Sequence, residues 1–456
     1  MKKIAIAGAS GFIGQNLINS LLDAEDCHIM ALARNIKKSN SPRLEWKKCD
    51  LFSVLDLEQG LAGADVVYYL VHSMQPSARL DQASFLDYDL MLADNLGRAA
   101  KKLGIKKVIY LSGIIPPGDH LSDHLASRLE VEQVLAQYFS THIVLRSGLV
   151  LGAGGSSFHI LYNLVRRLPI LICPRWTQNQ IAPVAASYVI KCLVKSLAIE
   201  QSSSFDLVAS DRLTYFELLQ LTADKLEKSR FFIKLPFSIN WLSRLWVSLF
   251  SGASKRLVYP LIDSLSHSML AREGLSFPNV AKLTVADALA GSIQEAKLIS
   301  YTFENKVIHR PTVRSVQRVE TPISFNSINL IQEYMKWLPR FLYPFVLVLI
   351  ENDQIVKFCL LHKKIVLLVL RWSKDRSTVD RQIFYIDGGM LAAEQDRGRL
   401  EFRAVLQGKY ALLAIHDFKP ALPWFIYRYT QALVHLLVMR CFGRHLKKIK
   451  ESLHES

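Results

Sequence analysis

The 456-residue chain has no C-x-x-C pair and no histidine cluster at metal-ligand spacing. Its six cysteines, Cys27, Cys49, Cys173, Cys192, Cys359 and Cys441, are scattered. That spacing excludes a zinc-ribbon or disulfide framework and predicts reduced, mostly buried thiols and no metal site. No run reaches the roughly 20 apolar residues that a bilayer span needs. Trp424 to Phe442 comes nearest, but Arg428, His435 and Arg440 interrupt it. The first apolar run, Ile4 to Ala7, is too short for a secretory signal, and glycines follow at once. A cytoplasmic protein is expected, with peripheral contact at the inner face of the membrane left open. No internal repeat, Ser-His-Asp order or nucleic-acid motif stands out, so no nucleic-acid partner is expected. Oligomeric state is left undetermined.

What the chain does have is a globular composition, 50% hydrophobic and 21% charged. Such a chain folds throughout, and its length calls for more than one domain. The formal charge of +16 favours an anionic partner such as a phosphorylated cofactor. Basic residues concentrate only in the terminal "RHLKKIKESLHES".

The opening "KKIAIAGASGFIGQNLINSLL" reads as a strand, a glycine turn and an amphipathic helix. Gly8 permits the tight turn, Gly11 lets backbone approach a pyrophosphate, and Gly14 lets the helix pack close to the strand. The helix N-terminus then offers unpaired N–H groups to phosphate, which places Ser10, Phe12 and Ile13 at the cofactor with the three glycines. The second strand, "CHIMALARN", carries no acidic residue at its end to hold the ribose hydroxyl of NAD. Arg34 stands there instead and suits a 2′-phosphate, so NADP is favoured over NAD.

Strands continue through "LEWKKCDLFS", "ADVVYYLVHS", "KKVIYLSGI" and "HIVLRSGLVLG", with helices between them. That alternation predicts a doubly wound parallel sheet of Rossmann type. Ligands bind at the carboxyl ends of such strands, which adds Asp50, Leu51, Val71, His72, Ser73, Ser112 and Gly113 to the crevice. The expected domains are residues 1–300, divided into a Rossmann core over 1–155 and a substrate-side segment over 156–300, and then 301–456. "FSINWLSRLWVSLF" spaces its apolar residues as a helix that covers a cleft, docks on another domain or lies on a membrane. Arg175 and Trp176 are candidates to face substrate.

The pieces "GASGFIG", "YYLVHSM", "YLSG", "LSDHLASRLEVEQVL", "LRSGLVLGAGGSSF" and "LPILICPRWTQNQIAPV" together resemble atypical short-chain dehydrogenases/reductases. In particular they resemble bacterial NAD(P)-binding proteins of the NmrA-like, complex-I-subunit-like type with an appended C-terminal domain of unknown function. That group includes reductases and proteins that bind nucleotide for sensing. In its active reductases a tyrosine exchanges the substrate proton, a lysine supports it and holds the nicotinamide ribose, and a serine orients the carbonyl. The resemblance places Ser112 at the serine, His124 near the tyrosine and Arg128 near the lysine. His124 and Arg128 keep the i, i+4 spacing of one helix face, and an imidazole can donate a proton near neutrality. Three readings stay open: NADPH-dependent reduction of a hydrophobic carbonyl or quinone, an NADP-responsive binding protein, and epimerase- or lyase-type chemistry.

After about residue 301 the pattern changes. "VIHRPTVRSVQRVETPI" reads as a polar linker. Phe384 and Ile386 alternate with Tyr385 and Asp387, and Leu400 and Phe402 with Glu401 and Arg403, which predicts a half-buried antiparallel sheet. Arg381, Arg399 and Arg403 form either a basic patch or a solvated face. A long helix from Leu422 to about Ile449 is expected to turn Ile426, Tyr429, Leu433, Leu436 and Leu437 onto the sheet. Antiparallel strands closed by one helix resemble the α+β helix-grip fold of START-like domains. That likeness implies a small hydrophobic ligand.

Overall fold

A computed structural model describes residues 1–39, 41–72, 80–118, 120–299, 301, 312–322, 325–352, 354–360, 365–393 and 398–454. The chain forms two compact units. The first comprises Met1–Met74 and Leu92–Asn305, and the second Gln75–Met91 and Lys306–Ser456.

The first unit is a Rossmann-type layer. Its strands are β1 (Lys2–Ala7), β2 (Cys27–Ala33), β3 (Leu44–Lys48), β4 (Val66–Tyr69), β6 (Lys107–Gly113) and β7 (Thr141–Ser147), with Ser203–Leu207 last; β5 (Leu80–Gln82) belongs to the second unit. The order across the sheet is Ser203–Leu207, β7, β6, β4, β1, β2, β3, and every pairing is parallel. The order reverses between β1 and β4, which opens the crevice where ligands of such sheets bind. Helices α1 (Phe12–Ala24), α2 (Val54–Leu61), α3 (Phe85–Lys102) and α4 (Asp123–Tyr138) make the crossovers. β1 and β4 are wholly apolar where they are buried, as strands covered on both faces must be.

The second unit holds one eight-stranded sheet, mostly antiparallel, with the helices Ser327–Leu342 and Gln431–His454. Leu330, Tyr334 and Leu338 from the first helix meet Phe402 and Leu413 from the sheet and Phe442 and Leu446 from the second helix. Tyr334 lies 4.9 Å from Phe402 and 5.0 Å from Phe442, ring centre to ring centre.

Four expectations need correction here. The supposed linker contains the strand Val313–Glu320, antiparallel to Tyr410–Phe418 and parallel to β5. Its polar residues disguise it, because Arg314 and Ser315 are buried in ionic and hydrogen-bonded contacts rather than solvated. Residues 75–91 belong with the second unit rather than with a domain running unbroken from 1 to 300, since β5 extends its sheet. The sheet face carrying Glu401 and Arg403 is not solvated: they are 0% and 1% exposed. Arg381, Arg399 and Arg403 each hydrogen-bond Glu401. The last helix breaks at Thr430, and its inward stripe is Ala432, Val438, Met439, Phe442 and Leu446. Ile426, Tyr429, Leu433 and Leu437 are exposed instead.

Candidate functional site

Gly8 ends β1 with φ at +92°, a conformation that L side chains rarely adopt. A Cβ on Gly8 would lie 2.8 Å from the Leu70 carbonyl oxygen, and one on Gly14 would lie 2.8 Å from Ala9 Cα. Both glycines are therefore required by close backbone approach. Gly11 and Ser10 are exposed at the same turn, and α1 begins directly after them. The free N–H groups of its first turn, from Phe12 and Ile13 onward, open beside that turn. The Phe12 ring points elsewhere. It packs on a second glycine run, where a Cβ on Gly152 would lie 2.7 Å from its Cζ. Phe12 thus contributes its backbone, not its ring, to the turn.

The neighbouring strand ends complete the crevice. Arg34 follows β2, exposed and without a side-chain partner among the described residues. Past β3, Asp50 accepts from the Phe52 N–H, and the Leu51 carbonyl accepts from Asn95 Nδ2 at 2.9 Å. Past β4, the Val71 carbonyl accepts from Arg128, which also donates to the Tyr110 hydroxyl at 3.1 Å. Ser73, also expected here, lies outside the described residues. A dinucleotide fits this cradle: glycines where a Cβ would collide, a helix N-terminus, and an open guanidinium at the next strand tip.

Beside the cradle, α4 starts at the N-cap Ser122, whose hydroxyl accepts from the Leu125 N–H. His124 in its first turn is held from two sides. Its Nε2 lies 3.0 Å from His72 Nε2, and its Nδ1 lies 3.3 Å from Ser264 Oγ. Ser264 Oγ is also 3.1 Å from Ser122 Oγ and donates to the Pro260 carbonyl. Although His72 as a residue is exposed, desolvation of its ring, and then the Arg128 charge, hold it well below the ordinary histidine range. Two facing Nε2 atoms accommodate one proton.

His124 lines a pocket of about 160 Å³. Its walls are apolar and aromatic, including Leu125, Leu161, Trp176, Leu218, Trp246 and Met269, with Gly113 and Ile114 at the end of β6. Trp176 is fixed by donation from Nε1 to Ser243 Oγ and by edge contact with Tyr215. Arg175 is exposed and does not line this pocket.

Ser112 does not face the pocket either. Strand alternation turns it inward, where its hydroxyl donates to Glu132 at 2.7 Å. Glu132 is paired with Arg146, Arg146 lies 3.7 Å from Asp206, and Asp206 accepts from Arg272. Ser112 thus belongs to a buried ionic chain that ties β6 to α4 and β7. Sequence reasoning missed Ser264 and Tyr215, but the cleft-covering helix it expected does bring Trp246 to the pocket. It also missed the pairing of His72 with His124.

A family model described as NAD(P)H-binding matches residues 8–143. This stretch is an NAD(P)H-binding domain. The chain is 32% identical over 113 residues to the auxiliary protein GraX of Staphylococcus aureus, a match covering 24% of this chain. It spans 36% of that relative's length. A UDP-glucose 4-epimerase of Vibrio cholerae is 24% identical over 294 residues, 59% of this chain and 88% of its own. Among solved structures, a nucleoside-diphosphate-sugar epimerase from Staphylococcus aureus is similar with TM-score 0.52 at 14% identity, covering 64% of this chain and 100% of that one. An NADPH-dependent quinone oxidoreductase from Escherichia coli in complex with NADPH gives TM-score 0.50 at 18% identity, covering 63% and 99%. At these identities the structural likenesses show the fold that the NAD(P)H-binding domain shares with epimerases and reductases.

The second unit has a cavity of its own, about 190 Å³. Phe358, Leu370, Ile415, Val438 and Met439 line it, together with Tyr427, Gln431 and His435. Burial lowers the His435 pKa to about 4, so the ring is neutral at pH 7. Among the described residues, no helix of either unit is long and apolar enough to cross a membrane.

Proposed function

We propose that the protein is an NADPH-dependent reductase of a hydrophobic carbonyl or quinone, with His124 as the proton donor. The carrying observation is the position of His124: on the wall of an apolar pocket and hydrogen-bonded at both ring nitrogens. Reducing a carbonyl adds a hydride at carbon and a proton at oxygen. Bound NADPH would supply the hydride. The protein's own residues do the rest. Gly8, Ser10, Gly11, Ile13 and Gly14 hold the pyrophosphate, and Arg34 selects the 2′-phosphate. Asp50, Leu51, Val71 and Gly113 border the adenosine and nicotinamide sides. His124 gives the substrate oxygen a proton, while His72 and Ser264 hold its ring in place. Arg128 donates to the Val71 carbonyl and, after desolvation, helps to keep His72 uncharged. Ser112 acts at a distance, by tying β6 to α4 through Glu132.

The apolar walls favour an uncharged substrate, because a charge there would lose its hydration without a partner. In the second unit, the cavity supports the helix-grip reading with a small hydrophobic ligand of its own. Mass spectrometry of molecules co-purified with the full chain tests that assignment.

The reductase reading is tested by NADPH consumption across a panel of quinones and aldehydes. Turnover that falls about 100- to 10,000-fold in His124→Ala supports it. Unchanged turnover in that variant removes His124 from the chemistry. Tight NADPH binding with no consumption by any substrate favours the alternative, a nucleotide-responsive binding protein. That alternative draws support from the engagement of both His124 nitrogens within the protein.

A further inference from the structure

We propose that one face of the first unit docks on an anionic lipid bilayer, and that the apolar pocket receives its substrate from that side. The face is built from the helix Asn240–Ser251 and the paired strands Ile170–Cys173 and Phe231–Lys234. The second clause rests on the reductase reading; the docking itself does not.

The helix is turned inside out for a soluble protein. Its buried stripe is Ser243, Val247 and Ser251, while Trp241, Leu245 and Leu249 are 66%, 44% and 69% exposed. Both stripes have i, i+4, i+8 spacing, so each is one face of the helix. An amphipathic helix normally buries its large apolar side. The strand pair repeats the inversion. Its parallel register sets Phe231 beside Ile170 and Ile233 beside Ile172, and all four are exposed. The linking loop is stitched to the same place, since the Phe237 carbonyl accepts from the Arg175 N–H and Ser238 Oγ from the Trp176 N–H. Single exposed hydrophobics need no partner, but two such rows joined by one stitched loop mark an interaction surface.

Charge selects the partner. The sequence contains no Asp or Glu between Glu132 and Glu200, and none between Glu227 and Asp263. Every element of the face lies within those two stretches. The cations around it, Arg166, Arg167, Lys228, Lys234, Lys255 and Arg256, are exposed. A second copy of the chain would bring this basic rim against its own like. Anionic headgroups match the rim while the acyl boundary takes the apolar row, and a tryptophan such as Trp241 suits the interface between them. The pocket and the face share Ile172, which lines the pocket and is 41% exposed. Trp246 of the same helix forms another wall. A membrane-soluble substrate could thus reach His124 without crossing water.

The test is flotation of the full-length protein with vesicles of phosphatidylglycerol and phosphatidylcholine, against phosphatidylcholine alone. No turnover is needed, so failure of docking is distinguishable from failure of the reductase reading. Binding to the anionic vesicles that weakens with salt is expected. Trp241→Gln with Leu249→Gln should lower the partition coefficient at least about tenfold per side chain. Lys255→Glu with Arg256→Glu should lower it at least about twenty-fivefold. NADPH binding by these variants should be unchanged, which shows that they fold. Absent or equal binding to the two vesicle types overturns the proposal, as does unchanged binding by either variant pair. So does a dimer in solution that Trp241→Gln dissociates.

Discussion

His72 and His124 face each other through Nε2 atoms 3.0 Å apart, their rings inclined by 26°. The two residues are 52 positions apart in sequence; His72 follows β4 and His124 lies in the first turn of α4. Desolvation, and then the Arg128 charge, hold His72 well below the ordinary histidine range. Proton NMR of the full chain should show His72 staying neutral well below pH 6.5. In Arg128→Gln its titration should move up toward the ordinary value of about 6.5. A His72 that titrates identically in both proteins would contradict the assignment.

Ser264 comes from a helix far along the chain and is 2% exposed. As the Nδ1 partner of His124, it is a positioning residue. Ser264→Ala should lower kcat about tenfold, the worth of one net hydrogen bond, and leave KM near its original value. Ser264→Thr should restore part of the loss. A change in KM alone would point to pocket shape instead.

The phosphate cradle has no room at Gly14. Gly14→Ala would force α1 away from β1, because the added Cβ would lie 2.8 Å from Ala9 Cα. Calorimetry should show NADPH binding weakened at least about tenfold while the second unit unfolds normally. Arg34→Ala is a milder change. It should weaken NADPH about 10- to 100-fold and leave NADH almost unaffected, as expected for loss of charged hydrogen bonds to one phosphate.

In the second unit, burial alone would raise the Glu401 carboxyl. The charges of Arg381, Arg403, His416 and Arg399 outweigh that and hold it well below the carboxylate range. Glu401→Gln would leave buried arginines without their shared anion and should destabilise the unit by about 3–5 kcal/mol. The pH dependence follows the same sign. A depressed folded pKa means that this stabilisation is complete above about pH 4.3 and is lost as pH falls through the folded value. Urea unfolding across pH monitors it.

His435 acts in a different window. Burial puts its pKa at about 4 in the folded protein. The unfolded chain takes up a proton near pH 6.5 and the folded one does not, so stability falls as pH drops from about 6.5 toward 4. Thermal unfolding of His435→Phe should lose that part of the slope while keeping the steeper acid loss due to Glu401.

Some of this was legible locally. A positive-φ turn and close helix–strand approach can be met only by glycine, so Gly8 and Gly14 announce the cradle in one dimension. Strand, turn and helix alternate because each crossover must return to the same sheet edge, and that places His72 and Ser112 at the crevice before any coordinate is seen; His124 came there only through the family resemblance. The direction of Ser112 was not legible. Strand parity around a glycine at the crevice leaves either face open, and Glu132, which captures the hydroxyl, is 20 residues away. The strand Val313–Glu320 was hidden for the same reason: its polar residues look solvated until Asp417 and β5 are beside them.

By itself, the sequence determined the parallel sheet, the phosphate turn and the basic tip at Arg34, since each follows from backbone geometry or charge within a few residues. Only the tertiary structure decided which nitrogen meets which, that Ser264 braces His124, and that a helix with a readable apolar stripe turns it outward. Those outcomes depend on contacts between segments brought together by folding, and hydrophobic periodicity states how wide a stripe is without saying which way it points.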